Sequence, residues 1–182
     1  MMSCQKQESL QIEVYETSVN GNKLSKLSTF QPSESAISVQ LLPDEKFQTI
    51  TGFGGAFTES SACLLNTISK ENRKKIIDAY FSSEGANYSL ARTHMNSCDF
   101  SVSNYSYTPV EGDKNLEHFT IEEDKDDLIP FIKDAMAAST DGFKLFGSPW
   151  TAAPWIKDNN KWVGGKLLPE YYDTWALFSQ NM

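Results

Sequence analysis

The sequence predicts an α/β protein in which parallel strands alternate with helices, and three observations predict it. From about residue 48 onward, short apolar runs and amphipathic stripes follow one another in the order β-α-β-α-β-α. Such alternation implies parallel strands joined by right-handed crossovers. The stretches 93–119 and 148–168, each following a strand, run to 27 and 21 residues. Connections of this kind usually take about 2–6 residues, so these two are expected to carry function. The stretch before residue 48 reads differently, as short alternating strands and turns. Two architectures fit, a doubly wound open sheet and a (β/α)8 barrel. Both place working residues at the C-terminal ends of the strands.

The elements follow from local pattern. Met1-Met2-Ser3-Cys4-Gln5 has no charged or apolar leader region before it. It looks like the tail of a bacterial lipoprotein signal, with Cys4 as the lipidated residue and an extracytoplasmic location. The alternative is an ordinary frayed start; either way residues 1–8 are a tail or a signal remnant. Residues 9–47 are expected to contribute strands to a β-sandwich: Leu10–Tyr15 and Ile37–Leu41 alternate apolar and polar, and Asn20-Gly21-Asn22 is a turn signal. Residues 48–53 read as a strand ending in glycines, and 57–67 and 69–81 as helices, the second capped by Ser69 with Ile76, Ile77, Tyr80 and Phe81 on one face. Tyr88–Arg92 is the next strand. Thr120-Ile121-Glu122-Glu123 is a capping-box pattern, followed by the stripe Leu128, Ile129, Phe131, Ile132, Ala135, Met136 with Pro130 in the first turn. Phe143–Gly147 is a third strand, and a last helix opens at Pro169.

Composition narrows the function. Hydrophobic residues at 40% and charged residues at 22% describe a globular chain. The net charge of −8 argues against binding nucleic acid or an anionic membrane surface. No apolar run approaches the roughly 20 residues that span a bilayer. Cys4, Cys63 and Cys98 fit no zinc spacing and no disulfide framework, and Cys63 reads as a small buried hydrophobe. No cofactor is expected. Residues 48–182 hold about three of the eight units of a barrel, which needs roughly 250 residues. The chain therefore reads as a truncated N-terminal part, whose open sheet would leave the polypeptide prone to aggregate on its own.

Three motifs carry chemistry. Gly52-Phe53-Gly54-Gly55-Ala56-Phe57 has Phe57 where a dinucleotide loop needs glycine, so its glycines are expected to serve a tight turn and close packing. His94-Met95-Asn96-Ser97-Cys98-Asp99-Phe100 has too few ligands of one type for a metal site. It reads as a polar cluster at a strand end, where Asp99 can accept two hydroxyls and Arg92 can orient a carboxylate. The alternative is that Arg92 and Asp99 neutralise each other. Ser148–Trp155, with Trp162 beyond, gathers three of the four tryptophans into one loop. Their indoles serve either as a platform for the apolar face of a sugar ring or as anchors that pack the loop. Asn87-Tyr88-Ser89 and Asn104-Tyr105-Ser106 are glycosylation sequons, the first disfavoured by its place at a strand.

Phe47–Glu59, Tyr80–Gly85, Arg92–Ser101, Lys144–Trp150 and Gly164-Gly165-Lys166-Leu167 together resemble glycoside hydrolase family 30, the glucosylceramidases and β-1,6-glucanases, over about residues 35–176. The resemblance implies a (β/α)8 barrel joined to a β-sandwich and retaining hydrolysis of β-glycosides by two glutamates about 5–5.5 Å apart. It implies that Asp99 holds the outer hydroxyls of the sugar, Trp150 lines that subsite, Phe100 and Trp155 form walls, and Arg92 keeps the nucleophile ionised. The family's acid/base glutamate lies in an Asn-Glu-Pro that this chain lacks, and its nucleophile is missing too. Glu59 and Glu84 match non-catalytic positions, and the chain departs from the family after Ala176. The resulting expectation is the N-terminal part of a retaining β-glucosidase, inactive alone. The alternative is a non-catalytic carbohydrate-binding protein.

Overall fold

A computed structural model describes residues 12–29 and 34–181. The chain divides into two compact units, Met1–Gln48 and Thr49–Met182.

In the first unit β1 (Tyr15–Glu16) pairs antiparallel with β2 (Ser25–Lys26), Tyr15 opposite Lys26. The turn between them closes where Ser18 N–H donates to Asn22 O at 2.9 Å. Leu10 and Gln11 of the first expected strand, like Cys4, lie outside the described residues. Ile37–Leu41 is not a strand: it pairs with nothing among the described residues, and Ile37, Val39 and Leu41 are exposed. An alternating pattern makes a strand only where a pairing edge and an apolar surface receive it.

The second unit holds a three-stranded parallel sheet in the order β3 (Gly54–Phe57), β4 (Leu90–Met95), β5 (Lys144–Pro149). Each strand starts later than its apolar run suggests. Gly54 and Gly55 are therefore in β3 and not in a turn. A Cβ on Gly54 would sit 1.5 Å from Leu90 O, so the approach of β3 to β4 requires glycine there. The shift puts Phe57 into the core with Ile77, Phe81, Ala91, Leu128 and Ala135, stacked on Phe81 and edge-on to Phe131.

α1 (Glu59–Thr67) is capped by the Thr58 hydroxyl and α2 (Lys70–Phe81) by that of Ser69, as the cap residues dictate. The capping box at Thr120 does not open the next helix. Thr120 Oγ1 instead accepts from Glu122 N–H at 3.1 Å in a single 3₁₀ turn, Glu122–Asp124. α3 (Leu128–Ala138) starts at the carboxylate cap Asp127 and has Pro130 in its first turn. Met136 of the expected stripe is exposed. Asn87 lies in an exposed turn before β4, not in the strand.

A second core gathers the long loop after β4 against the last helix. Met95, Tyr105, Tyr107 and Leu116 pack on Phe178 of α4 (Tyr172–Gln180), which Pro169 opens through one 3₁₀ turn. Phe178 is 1% exposed and stacks on Trp175 at 4.8 Å, so the residues just past Ala176 continue the fold. No helix among the described residues is long and apolar enough to cross a membrane.

Candidate functional site

Alternation along β4 sends Ala91, Thr93 and Met95 to one side of the sheet and Leu90, Arg92 and His94 to the other. Ala91 lies in the helix-side core. A Cβ on Gly147 would touch the Met95 side chain, so in β5 it is Phe146 and Ser148 that share the face of Arg92. On that face Arg92 Nη2 donates to Ser148 Oγ at 2.9 Å. Its guanidinium stacks over the Trp150 ring, 4.7 Å from the centroid. The Trp150 backbone N–H donates to Met95 O at 3.2 Å, and the residue is 46% exposed. Among the described residues Arg92 forms no ion pair, with Asp99 or any other carboxylate. A half-buried cation of mid-β4 thus stands beside an open indole just past the C-terminal end of β5.

Asp99 and Phe100 occupy an exposed turn directly after β4. The turn is closed by Ser101 N–H donating to Cys98 O at 3.1 Å and by Cys98 N–H donating to Ser101 Oγ at 3.0 Å. Phe100 presents its ring to solvent. Trp155 behaves otherwise. Its Nε1 donates to Thr108 O at 3.0 Å and its ring sits edge-on to Tyr171 at 5.1 Å. Of the two roles open to the tryptophans, Trp150 has the exposure of a platform and Trp155 the bonding of an anchor.

Several residues that organise the site are given no role by the sequence, Asn96 among them although it lies within the His94–Phe100 motif. Asn96 is fully buried with φ 62°, a left-handed conformation that asparagine tolerates. It joins the two long loops: Nδ2 donates to Thr151 O at 2.8 Å, and Oδ1 accepts from Tyr107 N–H at 2.9 Å. An asparagine straight after a strand is the signal that could have found it. Asp124 is buried and accepts both the Tyr105 hydroxyl, at 2.7 Å, and the Tyr107 hydroxyl. Burial, together with these bonds to a carboxylate, pushes both phenols well above their ordinary range. Lys157 staples the second loop by donating to Thr151 Oγ1 at 3.1 Å and Trp162 O at 3.0 Å, and burial lowers its pKa.

The residues nearest to a metal-ligating set are Glu59, Cys63 and Asp127, whose donor atoms lie within 4.8 Å of one another. The Cys63 thiol donates to Asp127 Oδ2 at 3.0 Å, which with burial raises it to about 11. The set is thus a thiol–carboxylate hydrogen bond that holds its proton firmly, a poor starting point for thiolate ligation. Glu59 is 8% exposed, and burial is the main cause of its raised pKa; Asp127 adds to it, while hydrogen bonding from Ser101 and Val102 and the nearby His94 oppose it.

These features coincide with a known family. The profile of the glycosyl hydrolase family 30 TIM-barrel domain matches residues 50–179. The chain belongs to glycosyl hydrolase family 30. Its sheet is accordingly the opening part of a (β/α)8 barrel. It is 36% identical over 150 residues to lysosomal acid glucosylceramidase of Mus musculus, covering 79% of this chain and 29% of the mouse protein. Among solved structures it superposes on SrfJ of Salmonella typhimurium with a TM-score of 0.74 and 34% identity, covering 87% of this chain and 36% of SrfJ. An endo-β1,6-glucanase gives a TM-score of 0.72 at 29% identity, covering 88% and 36%. The chain spans about a third of the length of the curated relatives it matches.

Proposed function

We propose that this family 30 chain forms the sugar-holding side of the active site of a retaining β-glucosidase whose substrate is glucosylceramide or a β-1,6-glucan. One observation carries the reading: the Arg92 cation, in no ion pair among the described residues, stacked on the ring of the exposed Trp150 just past the end of β5. Trp150 offers an apolar face to the C–H face of the sugar. Asp99, exposed on the adjacent loop, accepts hydroxyls from the ring's outer edge. Arg92 supplies the positive field that keeps a carboxylate nucleophile ionised. The chemistry needs two carboxyl groups about 5–5.5 Å apart, one protonating the leaving oxygen and the other forming the glycosyl-enzyme that water then opens. Glu59 is buried at the start of α1 and Glu84 lies in the turn after α2, so neither suits these roles. The reading assigns both carboxyl groups to residues outside these 182.

The glucosylceramidase and endo-β1,6-glucanase names of the relatives support the substrate class. The test is hydrolysis of 4-nitrophenyl β-D-glucoside by the full-length protein, with NMR of the first-formed anomer, followed by glucosylceramide micelles and β-1,6-glucan as competing substrates. Release of the β-anomer and loss of turnover in Trp150→Ala support the reading. Binding of the sugar without any turnover would make the protein a carbohydrate-binding protein instead.

A further inference from the structure

The turn carrying Asp99 and Phe100 is closed on itself through Cys98 and Ser101, and this internal closure does not fix where the turn stands. Among the described residues, the hydrogen bonds tying it to another element come from the first turn of α1. Ser60 N–H donates to Phe100 O at 3.0 Å, and Ser60 Oγ donates to the same oxygen at 2.5 Å. One residue before, Glu59 is buried, and hydrogen bonding from the Ser101 side chain and the Val102 backbone favours its charged form. Ser60 thus grips the turn at Phe100 through two hydrogen bonds, with the buried Glu59 beside it. The grip is itself rigid, because the Thr58 hydroxyl caps α1 by accepting from Ser61 N–H. The groups facing Glu59 from other elements are His94 of β4 and Asp127 at the cap of α3, with Cys63 on its own helix.

We propose that Ser60 is a positioning residue that sets the Asp99 turn at the height where its carboxylate meets the sugar, without touching the sugar itself. The inference rests on Asp99 being a sugar ligand, and it assigns to α1 control over affinity that the strand-end residues alone do not provide. A ligand held by a loosened turn is bound more weakly in ground state and transition state alike, so KM rises while kcat holds. A helix that merely supported the fold would lower the active fraction instead, reducing apparent kcat at constant KM.

The experiment is steady-state kinetics of the full-length protein on 4-nitrophenyl β-D-glucoside. Ser60→Ala is expected to raise KM about three- to tenfold, the range of one neutral hydrogen bond. Ser60→Thr, which keeps the hydroxyl, restores it. In an Asp99→Ala background Ser60→Ala adds nothing, because the group it positions is gone. If Asp99→Ala raises KM but Ser60→Ala leaves it unchanged, the clamp is wrong and the Asp99 reading stands. If Asp99→Ala itself leaves KM unchanged, the Asp99 reading falls and the clamp with it. Ser60 is exposed and its substitution leaves the core intact, so both Ser60 variants are read in a folded protein.

Discussion

Asp124 is the buried point on which the long loop after β4 hangs, and its removal gives the sharpest structural test. The carboxylate is 4% exposed and receives the Tyr105 hydroxyl on one oxygen, at 2.7 Å, and the Tyr107 hydroxyl on the other. Hydrogen bonds to a charged group contribute about 1.5–3 kcal/mol each. Asp124→Ala deletes two and leaves two buried phenols without partners, so a loss of about 3–6 kcal/mol is expected. Asp124→Asn keeps one acceptor oxygen and should cost about half of that. The phenols alone should be less harmful to lose once the carboxylate is gone. Tyr105→Phe is therefore expected to cost about 1.5–3 kcal/mol in the wild type and close to nothing in the Asp124→Ala background. Urea denaturation of the full-length protein, followed by tryptophan fluorescence, measures all four corners of the cycle. A loss below about 1 kcal/mol for Asp124→Ala, or equal costs of Tyr105→Phe in both backgrounds, would refute the arrangement.

Asn96→Ala is expected to cost about 2–4 kcal/mol, because it removes bonds to both long loops and replaces asparagine, which tolerates positive φ, by a residue that tolerates it less; Asn96→Gly, which relieves only the backbone, should recover about 1 kcal/mol of that by the same denaturation assay. Glu59 has a folded pKa raised above its ordinary value of 4.5, so its contribution to stability is complete below about pH 4.5 and is lost as pH rises through the folded value. Glu59→Gln should therefore gain on the wild type from acid to neutral pH, and a pH-independent difference in urea midpoint would contradict this. Expressed as these 182 residues alone, the protein presents the exposed β5, with Phe146 55% exposed, and should self-associate. Sedimentation showing a monodisperse monomer with a sharp thermal transition would contradict that expectation.

Much of the architecture was readable from local chemistry. Ser69 reads as a cap because its hydroxyl can accept from a free N–H three residues on, a bond that spans only a few residues of chain; Thr58 and Asp127 cap by the same kind of bond but the pattern does not single them out, and the capping box read at Thr120 opens no α-helix. The strand order and the two long loops follow from alternating patterns that need no knowledge of distant residues. Strand limits were less legible. β3 begins at Gly54, after the apolar run at 48–53, because the register with Leu90 and the burial of Phe57 decide it. Ile37–Leu41 alternates as well as any strand and pairs with nothing among the described residues, since alternation states a preference and not a partner.

The sequence by itself determined the order of helices and strands, the clustering of tryptophan after the third barrel-type strand, and the motifs that carry the family. Only the tertiary structure decided that Trp150 stands open against Arg92 while Trp155 is tied to Thr108, that Arg92 and Asp99 do not pair, and that Asn96 and Ser60 bond to the loops. The physical reason is distance along the chain. Arg92 and Ser148 are 56 residues apart, Asn96 and Thr151 are 55 apart, and Thr108 and Trp155 are 47 apart. Contacts across such separations depend on how strands register and helices pack, and these are settled by the whole core together.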